Sequence, residues 1–356
     1  MTRRPYPVPR HRSPSSTTAD HPVVTSVGDL IAAVPALLGF VPARSIVLIC
    51  LSTGSPTVVE MCMRQDLSDR LDSPELADVI QRCGEVCTRE GLDAVVAVLI
   101  TGSKFTMPYE VVADALRDTL DPRGIDLFGV HHVSHLAVGQ RWRSLGGDPR
   151  CGTLPDPGSS QVAASRVMAG RQIRTSRSEI ALLLQPVPES ECERFRNSRL
   201  RVELEDGPVG HSDLLADTVV FLEALHASDE LDHLTAARIM VAISTIAVRD
   251  AVLGLATTAL GPTAEAVWVE LTRRVSGPDR AHPATMLGAW AYLRGDGPLA
   301  GVALQTALTA DPEYRFAQLL DTALQNGVRP TVVRELVLSA RSLAEDLGVE
   351  LPPDAV

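Results

Sequence analysis

The chain is almost without lysine: Lys104 is the only one, and arginine supplies nearly all of the positive charge. Acidic residues outnumber basic ones by 44 to 33, for a net charge of −11. That balance argues against non-specific binding to nucleic acid or to an anionic membrane surface. No two of the six cysteines form a CxxC pair. The N-terminus carries positive charge with no apolar run behind it, so it does not read as an export signal, and reduced, buried thiols are expected. No apolar stretch reaches membrane-spanning length without interruption. A Walker loop, a GxGxxG turn after a strand, a GxSxG elbow and an HExxH helix are all missing. The sequence therefore announces no reaction class, no cofactor and no metal, and the expectation is a cytoplasmic protein.

What is present is a layout. A chain of 356 residues, 45% hydrophobic, suggests two domains rather than one. Residues 1–24, rich in Pro, Ser and Arg, read as a disordered tail. Residues 25–146 read as an α/β domain. Ser26 and Asp29 have capping-box-like spacing before a helix, which Pro35 should kink and Gly39 should end. The run SIVLICL (45–51) predicts a buried strand. The turn STGSP leads to a second strand at 57–63, paired with the first as a hairpin. A helix is expected over 74–90, capped by Asp72 or Ser73, then a buried strand at 94–100. A helix over 109–120 follows, then a strand over 129–138 and a short one over 141–145. This order implies a mixed sheet covered by helices. Residues 147–160, rich in Gly and Pro, read as a linker or a functional loop.

Residues 161–350 show helical patterns only and predict an all-α domain. Its most informative stretch is GAWAYLRGDGPLAGVALQTALTADP (288–312), spaced like a tetratricopeptide helical hairpin. Small residues Gly288, Ala300 and Ala307 stand where two helices must approach, and a Gly-Asp-Gly turn lies between them. Gly254, Gly261 and Ala266 recur as Gly288, Gly295 and Ala300 with the 34-residue period of such repeats.

Candidate chemistry is sparse. Arg141 and Arg143 flank Trp142, and alternation in a strand puts both guanidiniums on one face, where they could clamp a phosphate or carboxylate. The alternative is a solvated strand face with Trp142 in the core. Arg64 and Asp66 form a polar pair at a strand exit, where α/β sheets place ligands; a surface ion pair is the plainer reading. Asp66 or Asp148 could serve as a general base. Cys151, beside Arg150 in a polar loop, is a weak candidate for a reactive thiol. Cys83 and Cys87, one helical turn apart, are either a metal or redox pair or two small core residues; the core reading is expected, as it is for Cys50 and Cys62. His131 and His135 on one strand would stand about 13 Å apart, too far for one metal, while His132 points the other way. Arg166, Arg171, Arg174 and Arg177 make a basic patch suited to a partner or to ion pairs.

Several stretches carry a family resemblance: VGDLIAAVPALLGFVPARSIVLICL (27–51), RQDL (64–67), GQRWRSL (139–145) and GDGPLAGVALQTALTADPEYRFAQLLDTALQNGVRP (295–330). The chain resembles the actinobacterial family known as domain of unknown function 4192. The scarcity of lysine, with many Ala and Val, reads as codon usage in a GC-rich genome and agrees with that host range. The resemblance implies a fold and a host, not an activity. Where relatives read RWWSYxC followed by a Cys-Cys-Pro cluster, this chain has RWRSLGGDPRCGTLPDPG and keeps Cys151 alone, so a metal or redox role for that cluster would be lost here.

The leading expectation is a binding module. An anionic small molecule or a peptide end would sit on the α/β domain, and the helical domain would dock a protein partner or a second copy. The alternatives are a transferase or hydrolase acting on a phosphorylated or carboxylated metabolite, with Arg64, Arg141 and Arg143 converging on the anion, and a purely structural scaffold.

Overall fold

A computed structural model describes residues 26–54, 57–67, 74–102, 109–146, 149–168, 172–205, 207, 209–228 and 231–355. The expected tail, the tip of the STGSP turn, the caps Asp72 and Ser73, and Asp148 and Arg171 lie outside the described residues.

The N-terminal half is a mixed sheet of six strands covered by helices. Its elements are α1 (Val27–Leu38), β1 (Ser45–Ser52), β2 (Val58–Asp66), α2 (Pro74–Glu90), β3 (Ala94–Ile100), α3 (Glu110–Leu120), β4 (Asp126–Val133), β5 (Arg141–Leu145) and β6 (Cys151–Thr153). The strand order is β2-β1-β3-β4-β5-β6. Only β3 and β4 run parallel, joined by α3 as the crossover; the other neighbours are antiparallel. The β1–β2 hairpin forms as the sequence predicts. The Gly/Pro segment carries a strand of its own: β6 extends the sheet beyond β5, because its backbone can pair where its side chains give no strand signal.

Local signals explain α1. Ser26 accepts from the Asp29 amide at 3.1 Å. Gly39 takes the left-handed conformation at φ 81°, and its N–H bonds to the Pro35 carbonyl at 2.8 Å, the ending its lack of a Cβ permits.

The C-terminal half is helical: α4 (Gln161–Met168), α5 (Arg177–Leu182), α6 (Glu189–Glu205), α7 (His211–Ser228), α8 (His233–Ser244), α9 (Ile246–Val252), α10 (Gly261–Arg274), α11 (Ala281–Leu293), α12 (Gly297–Ala310), α13 (Arg315–Gln325), α14 (Pro330–Val333) and α15 (Glu335–Asp346). The expected helix over 250–260 is absent. That stretch is the end of α9, a short 3-10 turn and a bend, since Gly254 must lie against Leu351 and Arg341.

β1 and β3 are buried along nearly their whole length. One face of the sheet, with Ile46, Leu48, Val95, Ala97 and Leu99, packs on α2 and α3. The other face, with Val47, Ile49, Val96, Val98 and Trp142, joins a core that runs on through α1 and the helices to Leu351. Each fully buried Val, Leu or Ile contributes about 1.5–3 kcal/mol relative to exposure.

α11 and α12 form a tight antiparallel pair. Gly295 closes the turn at φ 79°, and the Asp296 carboxylate caps α12 at the Leu299 amide. At Gly288 a Cβ would lie 2.8 Å from Leu304. The 34-residue correspondence does not carry equivalent roles, because Gly261 opens α10 whereas Gly295 follows α11.

Residues 326–330 return to the sheet. Arg89 donates to the carbonyl oxygens of Asn326 (2.7 Å) and Gly327 (3.2 Å). Arg329 pairs with Glu90 at 2.7 Å and Glu60 at 3.6 Å.

Two glycines of the α11–α12 pair should respond oppositely to alanine. Gly288→Ala should lower stability in urea unfolding by about 1–3 kcal/mol through overpacking. At Gly301 an added Cβ meets nothing closer than 3.7 Å, so Gly301→Ala should raise stability by about 0.5–1 kcal/mol.

Candidate functional site

The sequence-predicted residues separate into two places. Register puts Arg64 opposite Val47 and Asp66 opposite Ser45, on the face of the sheet that meets α1. Arg143 lies opposite His132, which lies opposite Leu99, so Arg143, and Arg141 with it, stand on the other face. β2 and β5 are also separated by β1, β3 and β4, about 19 Å at ordinary strand spacing. The catalytic arrangement offered as an alternative, with Arg64, Arg141 and Arg143 on one anion beside Asp66, is therefore not formed. The cause is strand order: β1, β3 and β4 lie between β2 and β5.

On β5, Trp142 is a core residue. Its indole lies edge-on to His131 with ring centroids 5.5 Å apart. It is enclosed by Gly28 of α1 and Gly152 of β6, where a Cβ would stand 3.4 and 2.9 Å from its Nε1. Arg141 and Arg143 are exposed. His132 stacks on Tyr109 at 4.7 Å and shares a hydrogen bond with Thr101 at 2.9 Å. Cys151 is exposed beside an open depression that it lines with Trp142 and Arg150. His135 lies past the end of β4 and is exposed.

At the β2 edge the polar pair borders a cavity of about 750 Å³. Every residue from Val59 to Asp66 lines it. Leu37, Leu38 and Phe40 enclose it on one face of the strand and Val79 and Arg82 of α2 on the other. The helical half supplies the opposite wall through Tyr292, Gly295, Gly297, Pro298, Gly301, Leu324 and residues 327–330. Gly297 and Gly301 keep that wall low, since a Cβ at either would point into open space or ordinary contact. The Tyr292 hydroxyl donates to the Val328 carbonyl at 2.7 Å, and burial pushes its pKa up to about 12, so it stays a neutral donor.

Arg64 is fixed from three sides. Its Nε donates to Ser45 at 2.9 Å, its terminal nitrogens form a fork on Asp66, and its guanidinium lies 5.7 Å from the Phe40 ring centroid. Arg82 and Arg177 also line the cavity. Among the described residues neither has a hydrogen-bond or ion-pair partner. β2 is an edge strand, and among the described residues no hydrogen bond reaches its outer side. Of the basic patch read from the sequence, Arg177 alone lines this cavity; Arg174 pairs with Glu179 at 3.7 Å, and Arg166 lies against Gly39. Arg82 carried no sequence signal, because nothing in the sequence brings the outer face of α2 to the end of β2.

The structure also gathers thiols that the sequence scatters. The sulfurs of Cys50 on β1 and of Cys83 and Cys87 on α2 all lie within 4.8 Å of one another, buried. Cys50 and Cys83 are 3.8 Å apart. Cys50 and Cys83 can both donate to the Cys87 sulfur, which holds that thiol below its ordinary range. Cys50, hydrogen-bonded to Cys83 and buried, is pushed up.

A model of the family described as domain of unknown function (DUF4192) matches residues 28–331, most of the chain. The chain belongs to this family. No curated protein and no solved structure matches it. In this member of DUF4192 no helix among the described residues is long and apolar enough to cross a membrane.

Burial, then the nearby Arg150, holds the His131 pKa down at about 4, against 6.5 in its ordinary state. The folded chain thus resists a proton that the unfolded chain accepts. Stability from this group is complete above pH 6.5 and falls as the pH drops from 6.5 towards 4, by up to about 3 kcal/mol. Urea unfolding of the wild type at pH 7 and 4.5 should show this loss, and the His131→Gln variant should show a smaller one.

Proposed function

We propose that this protein is a binding module whose ligand lies along β2 in the cavity between the sheet and the helical half. One observation carries the reading: an edge strand lines the cavity from Val59 to Asp66, and its flanks hold two guanidiniums without partners among the described residues. An edge strand offers free backbone donors and acceptors to an extended peptide. A guanidinium offers a planar fork for a carboxylate or phosphate. The combination suits a peptide end, with its terminal carboxylate at Arg82 or Arg177 and its backbone added to β2. Arg64, held by Asp66, shapes the site and adds positive potential. Arg141 and Arg143 are left outside it. A concave site of this size supports ligand binding over a purely structural scaffold.

We read α11 and α12 as a hairpin of the tetratricopeptide type, supported by the close approach at Gly288. In the same reading the two domains are 25–146 and 161–350, the host is an actinobacterium and the compartment is the cytoplasm. Partner docking would fall to the helical half. Ile246 and Leu319 are exposed there beside a second cavity of about 710 Å³, which Phe316 and Leu336 also line.

The test is a thermal-shift and calorimetric screen with extended peptides bearing free or amidated C-termini, and with inorganic phosphate. Free-carboxylate peptides should raise the melting temperature. The Arg82→Ala/Arg177→Ala pair should weaken them about tenfold or more, the worth of a charge-assisted hydrogen bond, with little change in the apo melting temperature. Gly301→Leu should fill the cavity and abolish binding. Equal binding to all three proteins would overturn the reading. For the docking face, Ile246→Glu with Leu319→Glu should dissolve any concentration-dependent association seen by analytical ultracentrifugation.

A further inference from the structure

We propose that Cys50, Cys83 and Cys87 form a three-sulfur site for a single soft, thiophilic cation of the Cu(I) type.

The site is built from two elements. Cys83 and Cys87 stand one turn apart on the face of α2 that packs on the sheet, and Cys50 faces them from β1. With metal–sulfur bonds of about 2.3 Å, three sulfurs around one ion lie about 4 Å apart. The Cys50–Cys83 separation of 3.8 Å already meets that spacing, and the 4.8 Å limit on every pair leaves under about 1 Å of adjustment.

The donor set selects the ion. Calcium and magnesium take oxygen ligands, and this cluster offers sulfur alone. Structural zinc is four-coordinate, and among the described residues no fourth His, Cys, Asp or Glu joins the group. Three soft donors in an enclosed site suit a soft monovalent ion that accepts three-coordination. The apolar surroundings, with Ile46, Leu48, Val79 and Ile80 in the same cluster, keep water and harder oxygen donors away from the ion. Each sulfur binds as its thiolate, so binding exchanges thiol protons for the ion; the protons go to solvent, and no electron is transferred.

There is also a way in. Met61, the cross-strand partner of Cys50, packs against this cluster and lines the 750 Å³ cavity. Its thioether is itself a soft donor, shared between the cavity and the apolar cluster that holds the thiols. The proposal does not depend on what else the cavity binds.

The experiment is an anaerobic titration of the full chain with Cu(I) held by a competing chelator, followed by thiolate-to-copper absorption in the ultraviolet and by X-ray absorption. The wild type should withdraw one equivalent and show sulfur neighbours only. The Cys62→Ser/Cys151→Ser/Cys192→Ser triple variant should retain the full equivalent. Cys50→Ala, Cys83→Ala and Cys87→Ala should each lower the affinity at least tenfold. Alanine is chosen because a buried thiol behaves as a small apolar group, and each variant's melting temperature reports whether it has folded. Failure of the wild type to withdraw copper overturns the proposal whatever the variants do. So does copper that follows Cys62, Cys151 or Cys192, or that folded Cys50→Ala still holds at wild-type affinity.

Discussion

The structure depends on two strands that are apolar on both sides. β1 and β3 bury nearly every residue, so neither face of the sheet can meet water and each needs its own cover. α2 and α3 cover one face. They are local, reached by connections within the first half of the chain. The other face is covered by α1 and by helices from the second half, which is why a single apolar core continues from Val47 to Leu351. The helical half covers the sheet, and the two halves share this core.

Much of this was legible in the residues. SIVLICL and AVVAVLI read as buried strands because β-branched runs of that length have few other solutions. Ser26 and Gly39 mark both ends of α1 by capping chemistry that acts locally. β6 was not legible, since Cys151, Gly152 and Thr153 carry no alternation and pair only because β5 presents an open edge. Nor was the absence of a helix at 250–260, where a long-range contact between Gly254 and Leu351 overrides a pattern that reads as helical. These misses share one cause: each is decided by a partner far away in sequence.

The candidate site shows the same division. Arg64 and Asp66 were recognisable as a polar pair at the end of a strand, and they do border the cavity. Arg141 and Arg143 made a stronger sequence pattern, yet the strand alternation that puts them together also turns them away from Arg64, and strand order then places three strands between them and β2. The three cysteines are the converse case. Cys83 and Cys87 were visible as a helical pair, but Cys50 joins them only through the packing of α2 on β1, which no spacing rule encodes.

The fastening of residues 326–330 to the sheet has a consequence for the order of assembly. The bond from Arg89 to the Asn326 carbonyl joins residues 237 positions apart, so it can form only long after β2 has left the ribosome. Domains form as their residues emerge, and the β1–β2 hairpin is complete early. Until α11 to α14 arrive, β2 is an uncovered edge strand of half-apolar composition, the kind of surface that pairs with other chains. The wall that makes a binding cavity in the finished protein is therefore also the piece that ends a period of exposure during synthesis, and a chain truncated before Asn326 would leave β2 without that cover.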